Sequence, residues 1–270
     1  MTRTRRMITT AVTWLICLIF FFPIAWMFLT GFKFESDAAS SPPHFISPFT
    51  LEQFQRVFDR DMGSYLANSA IASLGSTLIV LLLAIPAAYG LSIRPITKVR
   101  DVLFFFISTR FLPAAASILP VYFILRQLGA LDTIGALILL YSAMNLPIAV
   151  WMMRSFFSEV PTEIIEAAQV DGANLRVELV RVALPIVLPG VAAAALICFI
   201  FAWNEYFFAT LLTTVDARTT PPFLAGFVDG RGQFLAVLSA ASTIAVLPVI
   251  AAGWIAQKQL VRGLAMGAVK

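Results

Sequence analysis

Charge is what this sequence has least of. Its 270 residues carry 19 Lys+Arg and 15 Asp+Glu, 13 % in all, about half the share of an average soluble domain. Histidine occurs once, as His44, and cysteine twice, as Cys17 and Cys198. A single histidine without neighbouring ligand residues makes no metal site. Two cysteines in separate apolar runs make neither a disulfide framework nor a metal-ligand spacing. The same scarcity leaves no nucleophile-and-base set, and the sequence contains no G-x-x-x-x-G-K-[ST] phosphate loop, which excludes ATP hydrolysis by this chain itself. Apolar residues take the place of charge: they make up 60 % of the chain, and mean hydropathy is +0.88. That surplus exceeds what one globular core can hide, so much of it must face lipid. The formal charge of +4 does not point to nucleic acid, because the basic residues flank apolar runs as topology signals do.

A helix needs roughly 20 apolar residues to cross the hydrocarbon layer. Uncharged stretches occupy 7–32, 62–93, 133–153, 182–204 and 232–257, and a sixth, 102–125, is interrupted only by Arg110. None alternates with period two, so helices rather than barrel strands are expected, with spans at about 8–32, 66–92, 102–125, 133–153, 184–212 and 234–257. The first follows Arg3, Arg5 and Arg6 as a signal peptide would. Its uncharged run, however, is longer than an ordinary signal core and no small-residue cleavage site follows, so it is expected to be retained. An even number of spans puts both termini on one side. Twelve basic residues lie there (Arg3, Arg5, Arg6, Arg94, Lys98, Arg100, Arg154, Arg176, Arg181, Lys258, Arg262, Lys270), against six opposite (Lys33, Arg56, Arg60, Arg126, Arg218, Arg231). The positive-inside rule places the richer side in the cytoplasm. The expected fold class is an all-α integral membrane protein of six transmembrane helices, one domain over 1–270, with both termini cytoplasmic. Outside remain two longer segments, 33–61, which holds His44, and 213–231.

The segment 158–183 is longer than two packed neighbouring helices need. Pro161 suits a helix start, and Glu163 and Glu166 put negative charge near its positive end, predicting a short helix from Pro161 to Val170. On it Ile164, Ala167 and Ala168 share one face, and Glu163 and Glu166 occupy another. Asp171-Gly172 ends it, and Asn174 is a good N-cap for a second helix leading to Pro185.

These residues resemble the EAA motif of the membrane subunits of binding-protein-dependent ABC importers: Glu166-Ala167-Ala168, three residues, Gly172, nine residues, Val182, one residue, Leu184-Pro185. Val182 stands where the usual pattern has Ile. The resemblance extends over most of the chain, through Asn145-Leu146-Pro147 to Arg154 and Phe157, through Trp203-Asn204-Glu205-Tyr206, and into the tail 257–270, and within the family it is similar to the carbohydrate branch, maltose-transporter type. It implies the MetI-like permease fold in the bacterial inner membrane. It also implies a second homologous permease completing the pathway, two ATPase subunits that bind ATP and Mg, and an extracytoplasmic substrate-binding protein. Glu163, Glu166, Ala167, Ala168, Asp171, Gly172, Leu184 and Pro185 would form the ATPase-coupling loop. The chain itself would carry no cofactor, metal or catalytic residue.

Charges inside spans cost around 2.5–3.5 kcal/mol on insertion scales and normally face protein or water. Arg110 and Glu205 are therefore candidates for the translocation pathway, or for a pair that fixes helix packing. Asn145, Trp203 and Asn204 are weaker candidates, since an amide beside an aromatic face suits a sugar. Prolines 23, 86, 113, 120, 147, 189 and 248 lie in or near the spans and small pairs such as Ala84 with Ala88 and Gly190 with Ala194 read as close helix packing. A permease for sugars, sugar alcohols or small glycosides is the leading expectation. A permease for polyamines or phosphate esters is the alternative within the family, and a secondary carrier the alternative outside it.

Overall fold

Apolar runs in lipid must pair their backbone groups within the segment, and the computed structural model does this with helices. It describes residues 3–45, 47–94, 97–111, 113–228 and 234–267, with side chains between 5 and 259. In chain order the helices are α1 (Arg3–Thr30), α2 (Glu35–Ala38), α3 (Glu52–Asp59), α4 (Met62–Ser92), α5 (Val99–Ser108), α6 (Ala114–Gln127), α7 (Ile134–Phe157), α8 (Thr162–Val170), α9 (Leu175–Val177), α10 (Leu184–Ile186), α11 (Leu188–Trp203), α12 (Phe207–Leu212), α13 (Thr220–Ala225) and α14 (Leu235–Gly267). A 3₁₀ turn, Thr109–Phe111, follows α5, and a π-helical stretch, Glu178–Ala183, joins α9 to α10. No strand occurs among the described residues.

Four of these helices, α1, α4, α7 and α14, are each long and apolar enough to cross a membrane, and two bent pairs bring the number to six if each pair is one span. Breaks fall within two of the expected spans. The expected 102–125 divides into α5, the 3₁₀ turn that carries Arg110, and α6, which opens at Pro113. The expected 184–212 is bent by 80° between Leu175–Ile186 and Leu188–Trp203, and α11 ends at Trp203 before the short α12. Prolines explain where the chain gives way. Pro113 and Pro189 lack the N–H an interior position must donate, so each stands at a helix start, where none is required. Pro23, Pro86, Pro120, Pro147 and Pro248 lie inside longer helices.

The chain forms two compact units. One comprises 1–64 with 222–247, the other 65–221 with 248–270. In the first, Gly31 approaches Ala240 so closely that a Cβ at Gly31 would lie 3.0 Å from its backbone. The Glu35 carboxylate accepts the Ala236 and Val237 N–H groups at 3.0 and 3.3 Å, satisfying donors that the start of α14 leaves open. Buried Lys33 donates to the His44 carbonyl at 2.5 Å and sits over the Trp26 ring. His44 is thereby placed in a structural loop, and no metal-binding cluster occurs among the described residues.

In the second unit small residues let helices meet. Ala84 and Ala88 are fully buried, and Gly190 lies under the Phe156 ring, where an added Cβ would come within 2.3 Å of a ring carbon. The small-residue spacings thus serve packing, as expected. Cys198 is buried with Val80, Ala84, Ala149 and Val150, and Cys17 is exposed and free. Asp132, which no sequence signal marked, holds the segment after α12. Its carboxylate accepts the N–H groups of Thr214, Val215, Asp216 and Ala217 and the Thr214 hydroxyl, all at 2.8–3.1 Å. Burial pushes this carboxyl up, but the four backbone donors outweigh it and hold its pKa well below the usual carboxylate range.

Candidate coupling loop and membrane cavity

The helix expected from Pro161 begins one residue later. Pro161 occupies the N-cap position and α8 runs from Thr162 to Val170. It ends in a Schellman reversal: Gly172 N–H donates to the Gln169 carbonyl at 3.0 Å and Ala173 N–H to the Ala168 carbonyl at 2.9 Å, with Gly172 at φ +80°. That left-handed position is why glycine stands there. Asn174 then caps α9 as expected, its side chain accepting the Val177 N–H at 3.0 Å.

The face of α8 seated on this chain is that of Ile165, which the sequence reading did not single out. Ile165, 4 % exposed, packs with Tyr89, Met153, Phe157, Val160, Ala183 and Val187. Ile164 and Ala167 point outward with Glu163 and Glu166, and Val170 is 88 % exposed. Spacing alone placed Ile164, Ala167 and Ala168 together. The choice of which stripe is buried belongs to the core beneath, which takes Ile165. Asp171, Gly172 and Pro185 are exposed and Leu184 is partly buried.

Sequence reasoning missed Glu178, whose side chain is fully buried at the start of the π stretch. It receives hydrogen bonds from the Tyr89 hydroxyl at the end of α4, from Arg94 at 2.9 Å and from Gln169 of α8 at 3.2 Å. Arg94 in turn is held above the usual guanidinium range by its bond to Glu178. The arrangement bolts both limbs of the loop to the end of α4. In sequence Glu178 looks like an ordinary charge on an amphipathic segment, and Arg94 was counted only as a topology signal. The π turn immediately before Pro185 widens the helix where the pyrrolidine ring would crowd the carbonyl four residues back.

Of the five pathway candidates, three meet. Arg110, Asn145 and Glu205 line a cavity of about 190 Å³ with Tyr141, Met144 and Phe201. Arg110 donates to the Met144 carbonyl at 2.7 Å and lies 6.0 Å from the Phe201 ring centre. Asn145 is buried and reaches the Cys198 carbonyl at 3.4 Å, tying α7 to α11. Glu205 and Arg110 form no ion pair. Instead the Glu205 carboxylate accepts the Phe208 and Ala209 N–H groups at 2.9 and 3.0 Å. The reason is the helix break. α11 is about 24 Å long at 1.5 Å per residue, short of the roughly 30 Å hydrocarbon layer, and a break near membrane depth must find partners for the freed donors. Trp203 and Asn204 leave the group: Trp203 is buried beside Phe199 with ring centres 5.6 Å apart, and Asn204 bonds back to the Ile200 carbonyl.

Comparison with known proteins gives the class of this helical membrane bundle. The family model described as binding-protein-dependent transport system inner membrane component matches residues 2–265. The chain belongs to that family: it is an inner-membrane permease subunit of an ABC transporter and not an enzyme. It is 38 % identical over 269 residues to the probable ABC transporter permease protein y4oR of Sinorhizobium fredii, covering 99 % of this chain and 96 % of that one. With the trehalose/maltose transport system permease protein MalG of Thermococcus litoralis it shares 32 % identity over 261 residues, 95 % of this chain and 94 % of the other. A crystal structure of a bacterial ABC transporter involved in the import of the acidic polysaccharide alginate matches with TM-score 0.76 at 23 % identity, covering 96 % of this chain and 99 % of that one, and shares the fold. The tail resemblance falls partly outside the described side chains, and Arg231, Arg262 and Lys270 lie there too.

Proposed function

We propose that this chain is one of two homologous permeases in an importer for a sugar, sugar alcohol or small glycoside, coupled through α8 to two cytoplasmic subunits that bind ATP and Mg, and supplied by an extracytoplasmic binding protein. The observation that carries the reading is the outward face of α8. A nine-residue helix that buries Ile165 alone and presents Glu163, Ile164, Glu166, Ala167 and Val170 is built to be gripped. The Gly172 reversal, with Asp171 beside it, and the Glu178 bolt make the grip rigid, so closure of a partner would move α4 and the second limb toward Leu184 and Pro185 as one body. The sugar assignment rests on relatives such as the trehalose/maltose permease.

Arg110, Asn145 and Glu205 are proposed as one wall of the pathway. At about 190 Å³ their cavity is below the roughly 300–1,000 Å³ of a complete ligand pocket, so the second permease supplies the rest. Trp203 and Asn204 support that wall without facing it. The test is ATP-dependent uptake of a panel of radiolabelled sugars by vesicles holding the chain with its partner subunits, comparing wild type with Glu166→Lys. Sugar-dependent uptake lost in the variant is the expected result. Uptake indifferent to Glu166, or proceeding without ATP, removes the coupling assignment in favour of a secondary carrier, and uptake restricted to polyamines or phosphate esters removes the sugar.

A further inference from the structure

A groove of about 530 Å³ lies between the start of α5 and the end of α7 and shares no lining residue with the Arg110 cavity. It is lined by Leu103, Phe104 and Ile107 of α5 and Trp151 of α7, with Arg100 in the first turn of α5 and Arg154 in the last turn of α7. The positions 100, 103, 104 and 107 make one stripe along α5, and 151 and 154 are one turn apart on α7, so each helix contributes an apolar stripe ending in arginine at the same end. Trp151 is fixed there by its Nε1 donating to the Leu103 carbonyl at 3.2 Å.

The arginines lack counterions. Neither forms an ion pair among the described residues, and the Arg154 Nε is buried without a hydrogen-bond partner. The nearest acid in sequence, Asp101, is adjacent to Arg100 on α5 and off the stripe. The first turn of α5 has no side-chain cap, leaving its N–H donors open toward the same end. A buried, unpaired donor on a cation is costly unless an acceptor arrives.

We infer that this groove binds an anionic phospholipid, its phosphate between Arg100 and Arg154 and an acyl chain along Leu103, Phe104 and Ile107. A small phosphate-bearing solute would use the arginines and leave the apolar walls uncovered. A neutral lipid would cover the walls and leave the arginines unpaired. The amphiphile with a negative headgroup satisfies both, and the tryptophan one turn from Arg154 suits the membrane interface. The leaflet is the one that the excess of basic residues assigns to the cytoplasm.

The test uses the full chain with its partner subunits in phosphatidylcholine vesicles containing brominated phosphatidylglycerol or brominated phosphatidylcholine at equal mole fraction. The Trp151 signal is taken as the difference from Trp151→Phe. Quenching is expected to favour the anionic lipid by roughly thirtyfold in effective affinity, the order given by two basic residues near a membrane surface. The preference should vanish in Arg100→Gln/Arg154→Gln and persist in Arg100→Lys/Arg154→Lys. If the double variant fails to fold, Arg100→Gln alone should reduce it by severalfold. Equal quenching by both lipids makes the groove an ordinary lipid-facing surface and overturns the proposal. Quenching by neither means that another protein chain fills it, and loss of the preference in millimolar inorganic phosphate means that the ligand is a soluble phosphate.

Discussion

Gly172 allows the role of the loop's rigidity to be measured. Its φ of +80° is left-handed, and no atom beyond its chain neighbours lies within 4 Å of where a Cβ would sit. A substitution therefore meets no steric obstacle, and its cost is torsional, about 1–2 kcal/mol for an ordinary L-residue. Asparagine tolerates this region and pays less, whereas a β-branched residue pays more. Against that stands what seats α8. Burial of Ile165 contributes about 1.5–3 kcal/mol, and the hydrogen bond from exposed Gln169 to Glu178 adds about 1.5 kcal/mol. Strain and seating are of the same order, so Gly172→Ala should raise the unseated fraction of α8 by about five- to thirtyfold. ATP-dependent uptake, normalised to chain inserted in the membrane, should fall in the order wild type, Gly172→Asn, Gly172→Ala, Gly172→Val, while the amount of inserted chain stays constant. Full activity of Gly172→Val refutes the reasoning. So does Gly172→Asn being as damaging as Gly172→Val, since the side chain's presence against a partner would then matter and the backbone conformation would not.

Two further outcomes are expected. Tyr89→Phe removes one donor from the buried Glu178 carboxylate and should lower stability by about 1.5–3 kcal/mol, read as an earlier thermal unfolding midpoint in detergent, with uptake reduced more than binding-protein docking; an unchanged midpoint would show that the bolt carries no load. Asp132 has a folded pKa held below its unfolded value, so its contribution is complete above the ordinary carboxylate range and is lost progressively as pH falls through about 4 toward the lower folded value. Asp132→Asn should therefore be less stable than wild type at pH 7, by a margin that is clearly smaller at pH 2 than at pH 7, with faster proteolysis at 213–219 at neutral pH. A difference that persists undiminished in acid would rule out the charge as its source.

Much of the site was legible because its local chemistry is local. The Gly172 reversal and the Asn174 cap each depend on a few consecutive residues, and both follow from the sequence. Ile165 did not follow, because two neighbouring stripes of one short helix are about equally apolar and only the core formed by Tyr89, Met153 and Phe157 selects between them. Arg110 and Glu205 were rightly marked as costly, yet their partners turned out to be backbone groups near helix breaks and not each other. Hydropathy has no means of seeing a break inside an uncharged run, although Pro113 and Pro189 stood beside two of them.

By itself the sequence determined the solvent of this protein and its secondary structure. With 34 charged residues in 270 and long apolar runs, the chain must enter lipid, and there it is helical because none of those runs has the period-two alternation of a closed barrel, the other structure that pairs the backbone. Its tertiary structure decided what the few charges do. Glu178 meets Tyr89 and Arg94 across more than 80 residues of chain, and Asp132 meets the backbone of 214–217 in the same way. Such pairings are set by which helix ends the packing brings together. Because a buried charge without partners is expensive, packing that failed to unite them would not have been stable.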